Sequence, residues 1–545
     1  MADFTAKEYI QLQKTEEDKQ SNTRRLWQDT ADTMYPYVQI TSTYESGTPR
    51  TKTIYDTTPY LDMCDMVSGL KFILLPVGQN FFAVKSMGNI RSDIAQRYLS
   101  IVTEIAHEKI FASNFTTEFD EILRNLIIFG PAVLYTDWTK KTGLNYKSAE
   151  IGTFQFIEDN SKRVETVIIK FQMTANNAYN EFKGNVGKLV LDAYNKTETQ
   201  NNKFWFIHYV GPRKKRNPNL SDKYNMNMLY ESVFIDVVDE MIIDEGGFTE
   251  NAYASCRWMR PASEKDGRGI GTEILPQIKV LHKMTYDFVH LSNKFADPPI
   301  EKNANNVEGD VDTRPGAVNE VSEMGSIKAI DGNAIGNFPI TEKSLDRQTE
   351  IIHRAFFRNA FSPLEDLTGD RRTTLEIRER IKQSWPKIGP PIGRIWTELL
   401  APSITRSIML LIRNGEIPLP PQELQGTNFG IEFVGPFALE LRSQQAKAFQ
   451  EWVGWVGNIE TVSPGAVDNV DFDDAIMRMG RTFGVNTEDM ATEEERNAKR
   501  QARAEQQQKT EQQQAMQLAT DAYGKGISKP EDGSAAGKIM ESIGV

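Results

Sequence analysis

The chain of 545 residues holds five histidines and two cysteines, and their spacing argues against the chemistry such residues usually perform. His107-Glu108-Lys109-Ile110-Phe111 lacks the second histidine that a zinc protease places one helical turn on. The acidic run from Asp468 to Asp474 lacks the glycine and distal glutamate of a calcium loop. Both read as solvated helix faces. Gly184-Asn185-Val186-Gly187-Lys188 has the wrong spacing for a phosphate loop and runs into Leu189, so the chain is not expected to be an ATP-driven motor. In Gly267-Arg268-Gly269-Ile270-Gly271, Thr272 stands where a dinucleotide fingerprint needs its third glycine, and the run reads as a flexible lead-in to a helix. No Ser, His and Asp grouping emerges, and Cys64 and Cys256 read as buried thiols. The expectation is a protein with no catalytic residue, no cofactor and no metal site, hence not an enzyme.

Basic side chains are the remaining candidates. Lys279, Lys283, His290 and Lys294 follow one another at offsets of four, seven and four, which keeps them on one stripe of a helix. Such a stripe either faces a polyanion or pairs with carboxylates of a neighbouring helix. Arg213-Lys214-Lys215-Arg216, after Gly211-Pro212, reads as a solvated turn with a possible nucleic-acid contact. A net charge of −12 argues against a protein that holds DNA tightly by its phosphates.

The stripe lies on a helical run from Gly271 to Ala296, where Ile274, Ile278, Leu281, Met284, Phe288, Leu291 and Phe295 recur at three-and-four spacing. Thr272 is the expected N-cap and Asp297-Pro298-Pro299 the stop. Residues 297–340 are polar and punctuated by Gly and Pro, with short apolar pieces such as Ile327 to Ile330, and read as compact but irregular, with room for a small strand pair. A second helical run, 341–358, carries Leu345, Thr349, Ile352 and Phe356 inward. The sequence thus predicts a helical hairpin with a lobe at its end. A thin hairpin cannot bury its whole apolar stripe within one subunit, so Phe288 and Leu291 are candidate oligomer contacts. The loop from Asn359 to Arg372 holds Phe361, Pro363, Leu364 and Leu367, too apolar for a free linker, and Gly369-Asp370 gives it a bend. Thr373-Thr374-Leu375-Glu376 has the form of a capping box. It opens a long helix kinked at Pro386 and Gly389-Pro390-Pro391 and closed by Asn414-Gly415.

Upstream, residues 5 to 35 read as a charged helix, and Tyr55 to Leu75 as a helix with Leu61, Val67, Leu70 and Leu74 or Leu75 inward. Phe81 to Val84 reads as a strand; Ile90 to Ser113 and Thr117 to Phe129 read as helices. Strands are expected at 132–138, 154–157, 164–173, 203–210 and 228–238. The most apolar run, Ile122 to Tyr135, is broken by Arg124, Asn125 and Gly130-Pro131, so no membrane span is expected. Downstream, 437–459 and 471–483 read as helices. Glu493 to Leu518 has helix propensity but little to bury, and needs neighbouring copies for support. Beyond Asp521 a mobile tail is expected.

The chain resembles the portal, or head-to-tail connector, proteins of short-tailed double-stranded DNA phages. The resemblance rests on an ordered series: Ile54-Tyr55-Asp56 leading to Leu74-Leu75-Pro76; Phe119 to Tyr135 with Phe129-Gly130; Arg260 with Gly267 to Gly271; the hairpin; and the kinked helix followed by Gly435-Pro436. It implies a mainly helical α+β fold: a wing (1–270, helical then β-rich), a stem (271–296 and 341–358), a clip (297–340) and a tunnel loop (359–372). A kinked helix returning to the wing (373–435), a crown (436–500) and a C-terminal barrel or tail (501–545) complete it. The resemblance further implies a homododecameric ring at one capsid vertex of the virion, assembled in the host cytoplasm, through which double-stranded DNA is packaged and ejected. Its partners would be the terminase large subunit, tail adaptor proteins, and the capsid and scaffolding proteins, with no membrane. Phe361, Pro363, Leu364, Leu367 and Gly369 would form the tunnel loop, with Arg371 and Arg372 joining the Lys279 stripe as DNA-channel candidates. The alternative is a non-enzymatic helical adaptor or scaffold of a virion, without a DNA channel. Particle size separates the two.

Overall fold

The computed structural model describes residues 2–41, 51, 54–76, 78, 80–86, 93–221, 225–307, 309–314, 317–329, 338–361, 387–424, 429–434, 449–458, 472, 475–476 and 493–524. Two compact units result: Met1–Gly88 with Ile101–Pro420 and Gly426–Ala438, and Asn89–Ser100 with Pro421–Gln425 and Leu439–Val545.

The first unit begins with α1 (Ala6–Lys19) and α2 (Ser21–Met34). The sequence suggests one helix here, but Gln20 breaks it, donating from Nε2 to Asp266 Oδ1 at 2.8 Å. Trp27 of α2 is fully buried and donates from its indole to the Phe129 carbonyl at 3.1 Å. In α3 (Thr58–Leu74) the inward set is Met63, Met66, Val67, Leu70, Ile73 and Leu74. Leu61 does not join them: it is 55% exposed, and Asp62 occupies the inward position beside it.

Further along are α4 (Asp93–Ala112), part of this unit from Ile101, and α5 (Phe115–Ile128), which buries seven side chains. α5 packs on a three-stranded antiparallel sheet in which β2 (Pro131–Thr139) lies between β3 (Gly143–Ser148) and β9 (Tyr253–Arg257). A five-stranded antiparallel meander follows: β4 (Phe154–Glu158), β5 (Val164–Thr174), β6 (Lys203–Pro212), β7 (Tyr230–Asp236) and β8 (Met241–Phe248). Alternation sends Ile207, Val233 and Ile235 toward Tyr9 of α1, while Phe206 and Ile243 meet α6 (Ala175–Glu181) and α7 (Lys188–Tyr194). β8 escaped the sequence reading because Asp244-Glu245-Gly246-Gly247 interrupts its apolar pattern.

The hairpin follows. A short α8 (Ile270–Glu273) precedes α9 (Leu275–Ala296), and α10 (Phe338–Ala355) packs along it. Between them, β10 (Ile300–Lys302) pairs antiparallel with β11 (Ile327–Ala329). Thr272 is not an N-cap. It is buried in α8, its hydroxyl 3.1 Å from the Gly269 N–H and 2.8 Å from the Gly269 carbonyl.

The helix α12 (Lys387–Arg413) is π-helical over Ile395–Leu400. By length and composition alone it is long and apolar enough to cross a membrane, a test that a core helix passes equally. Its Ile395, Leu399, Leu400, Ile404, Ile408 and Leu411 are buried, and the helix packs on β2 and β9, the place of a core helix. The proposed capping box at Thr373 and the break at Pro386 lie outside the described residues, but Gly389-Pro390-Pro391, expected to interrupt the helix, lies within its first turns, near the end where a proline disrupts a helix least. β1 (Phe82–Ser86) pairs antiparallel with β12 (Phe429–Phe433), far away in sequence.

In the second unit, a helix over 449–458 buries Val456 and leaves Trp452 and Trp455 exposed. A 32-residue helix, α13 (Glu493–Gly524), shows almost no buried side chain among those described.

Candidate functional site at the helical hairpin

The base of α9 is held by glycines in close backbone contact. A Cβ at Gly269 would sit 2.6 Å from the Ile127 carbonyl oxygen and 2.8 Å from the Gly130 nitrogen; one at Gly271 would sit 2.7 Å from the Ile128 carbonyl oxygen. Gly130, at φ +113°, meets the Arg268 backbone in return. The glycine run is therefore a tight seam between α8 and the end of α5, not the flexible lead-in its composition suggests. Each glycine is there because a side chain would not fit.

About two turns into α9, His282 is buried and spans three segments. Its Nδ1 accepts the backbone N–H groups of Tyr55 and Asp56, both at 3.2 Å, and its Nε2 donates to the Thr33 carbonyl at 2.9 Å. This pattern requires the neutral ring, and burial holds its pKa below the ordinary histidine value. Tyr55 also packs edge-on to Tyr286, and the Thr285 hydroxyl donates to Asp56 at 3.3 Å. Thus Ile54-Tyr55-Asp56 is a dock for the hairpin. Sequence reasoning missed His282, whose only signal is a polar residue at an inward position of an amphipathic helix.

The second helix is tied down differently. Asp62 of α3 is buried, with Oδ2 2.6 Å from His353 Nδ1 and Oδ1 3.7 Å from an Arg358 nitrogen. Burial raises the Asp62 pKa, opposed by the hydrogen bond from His353. Phe357 turns the chain at φ 55° into α11 (Arg358–Phe361). The Phe361 ring covers Gly69 so closely that a Cβ there would lie 2.1 Å from it. Thus the first of the proposed loop residues packs on α3; Pro363, Leu364, Leu367, Gly369, Arg371 and Arg372 lie outside the described residues.

The basic stripe is intact on α9, and two of its members have carboxylate partners. Lys279 pairs with Asp29 of α2 at 3.2 Å and Lys283 with Asp287 at 2.8 Å, all four side chains well exposed. His290 packs against Tyr286, and Lys294 is exposed. Phe288 and Leu291 are half-buried, whereas Val280, Val289 and Phe295 are exposed.

The other basic cluster is structural. The backbone N–H groups of Lys214 and Lys215 donate to the Asp3 carboxylate at 2.5 and 2.8 Å, and buried Arg213 pairs with Glu245 at 3.4 Å. The cluster anchors the N-terminal segment. His107, expected on a solvated face, is buried against Phe81 and Phe82, with Nε2 donating to the Phe82 carbonyl at 3.0 Å. Burial lowers its pKa to about 4, and that of His208 to about 3. A cavity of about 550 Å³ lies beside α1, but Glu16 on its wall pairs with Lys19 and Lys265, and Glu158 with Arg257 and Arg260. Cys64 and Cys256 are free thiols, Cys256 buried and Cys64 half-buried. Among the described residues no three His, Cys, Asp or Glu side chains are grouped to hold a metal.

Comparison with known proteins follows the same line. A family model described as "Bacteriophage head to tail connecting protein" matches residues 6–490. The chain is 24% identical over 335 residues to a probable portal protein of Bordetella phage BPP-1, covering 60% of each chain. It is 23% identical over 419 residues to the portal protein of Salmonella phage epsilon15, covering 74% of each.

Proposed function

Because the chain belongs to the bacteriophage head-to-tail connecting proteins, we propose that copies of it form a ring at one capsid vertex through which double-stranded DNA is packaged and later ejected. Proteins of this family are structural and not catalytic. The observation that carries the reading is the hairpin of α9 and α10. It leaves Val280, Val289, Phe295 and Ile351 exposed on helices too thin to cover them, while its base is locked by Gly269, Gly271 and His282. Apolar surface left so on a rigid arm is covered when copies associate.

In this assembly residues 271–296 and 341–358 are the stem, residues 297–340 the clip that docks the terminase and later the tail adaptors, and 359–372 the loop lining the channel. The wing comprises 1–270 with 373–435; 436–500 form the crown and 501–545 the C-terminal barrel or tail. The ring is dodecameric, assembles in the host cytoplasm with capsid and scaffolding proteins, and becomes part of the virion. Contacts to passing DNA are weak, from Lys279, Lys283, His290, Lys294, Arg371 and Arg372, because an acidic subunit repels phosphate. The mass of the purified full chain and its electron images test this. A large particle with a central hole is expected; a monomer or dimer at high concentration overturns it in favour of an adaptor.

A further inference from the structure

The second hairpin helix ends on a residue ill suited to end it. Phe357 turns the chain at φ 55°, in the left-handed region where a bulky side chain is a genuine outlier. Helices that close in this conformation usually place glycine there. The apolar pattern does not stop at the turn either: Thr349, Ile352 and Phe356 recur at three-and-four spacing, and the same spacing runs on to Ala360. Residues 338–361 therefore carry the pattern of one helix, broken at Phe357 into α10 and α11. Glycine at 357 would make the turn freely and weaken a continuous helix; phenylalanine does the reverse.

Contact with α3 holds the break. α11 packs on α3, with the Phe361 ring seated over Gly69 where no side chain would fit. Asp62 of α3 takes His353, before the turn, at 2.6 Å and lies 3.7 Å from Arg358, after it. In an unbroken helix Arg358 would point about 140° away from His353, and Phe361 would stand about 9 Å beyond Ala355 along the axis. The seats of Arg358 and Phe361 thus belong to the broken helix, whereas that of His353 needs only α10. Strain such as that at Phe357 persists where surrounding contacts over-determine it.

We propose that Phe357 is a two-state joint. With α11 seated on α3, the second hairpin helix ends at Ala355; with α11 released, it runs unbroken to Phe361 and carries the chain that follows away from α3. Asp62 keeps His353 in both states, so the hairpin stays docked while the chain beyond it moves. The joint lies within one subunit and does not depend on ring formation.

The test is amide hydrogen exchange of the full chain, read in a peptide covering residues 356–361 and, as a control, one covering 122–128 of α5. Gly69→Ala drives a Cβ into the Phe361 ring, and Phe361→Ala removes the ring without a clash. Each should slow exchange over 358–361 by roughly tenfold, because those amides then bond within a continuous helix, and should leave 122–128 unchanged. Adding Phe357→Gly should cancel the slowing, since glycine favours the turn over the helix. If Gly69→Ala unfolds the subunit, Phe361→Ala decides. Exchange over 358–361 that quickens or stays the same would overturn the proposal, as would slowing that survives Phe357→Gly. Loss of protection at 122–128 in both single variants would also overturn it, by making α11 part of the subunit core.

Discussion

Replacing His282 tests whether the first hairpin helix is docked by hydrogen bonding or by apolar burial alone. In His282→Leu the N–H groups of Tyr55 and Asp56 and the Thr33 carbonyl all lose their partner. Leaving a buried polar group unsatisfied costs about 1–3 kcal/mol. Tyr55 and Asp56 lie on a partly exposed segment where water can substitute, so the expected total is about 2–4 kcal/mol, toward the low end of that range per group. His282→Asn places an amide oxygen near the Nδ1 position, keeps the two accepted bonds and loses only the one to Thr33, for about 1 kcal/mol. Amide hydrogen exchange of a peptide spanning Tyr55 and Asp56 reads this directly. At a tenfold change per 1.4 kcal/mol, exchange should quicken roughly 30- to 1000-fold in the Leu variant and less than tenfold in the Asn variant. Equal protection in the two variants would refute the docking argument, since apolar packing alone would favour leucine.

Acid should destabilise the first unit through His107, whose pKa in the fold, about 4, lies below its value of about 6.5 in the unfolded chain. The unfolded state then binds the extra proton, so this contribution is complete above pH 6.5 and shrinks as pH falls toward 4. Measured by denaturant unfolding, the stability advantage of wild type over His107→Gln should fall by about 2 kcal/mol between pH 7 and pH 5, and a constant difference would contradict it. Deleting Ser362 to Gly369 should leave full-sized rings that package poorly or leak DNA; insoluble protein would mark the segment as part of the subunit core. Deleting Val307 to Val318 should spare the ring and abolish binding of terminase and tail proteins in pull-down assays, whereas normal tail attachment would remove the clip assignment. Phe288→Asp with Leu291→Asp should yield smaller soluble species by light scattering; unchanged rings would place the subunit contact elsewhere.

Helical periodicity made the hairpin legible in the sequence, because α9 and α10 have one inward stripe each and α9 a clear stop at Pro298-Pro299; the end of α10 at Ala355, short of the expected 358, follows from the turn at Phe357. The strands with strong alternation, β4 to β7, were legible for the same reason. Local pattern could not say which residues approach others far away in sequence. Gly269 and Gly271 read as flexibility from composition, yet they are fixed by backbone contact with residues 127–130, a fact of packing between distant segments. His107 read as part of a solvated helix face and His282 went unnoticed until burial beside the Phe82 carbonyl, and beneath the N–H groups of Tyr55 and Asp56, gave each its partner. β12, β8 and the break at Gln20 likewise follow from pairing and hydrogen bonding across more than a hundred residues of chain, or against a polar local pattern. The sequence by itself determined the element types and the charge pattern of the hairpin, since both depend on neighbours within a turn or two. Only the tertiary structure decided which polar and glycine residues are structural, because their energies come from contacts that exist only once distant segments meet.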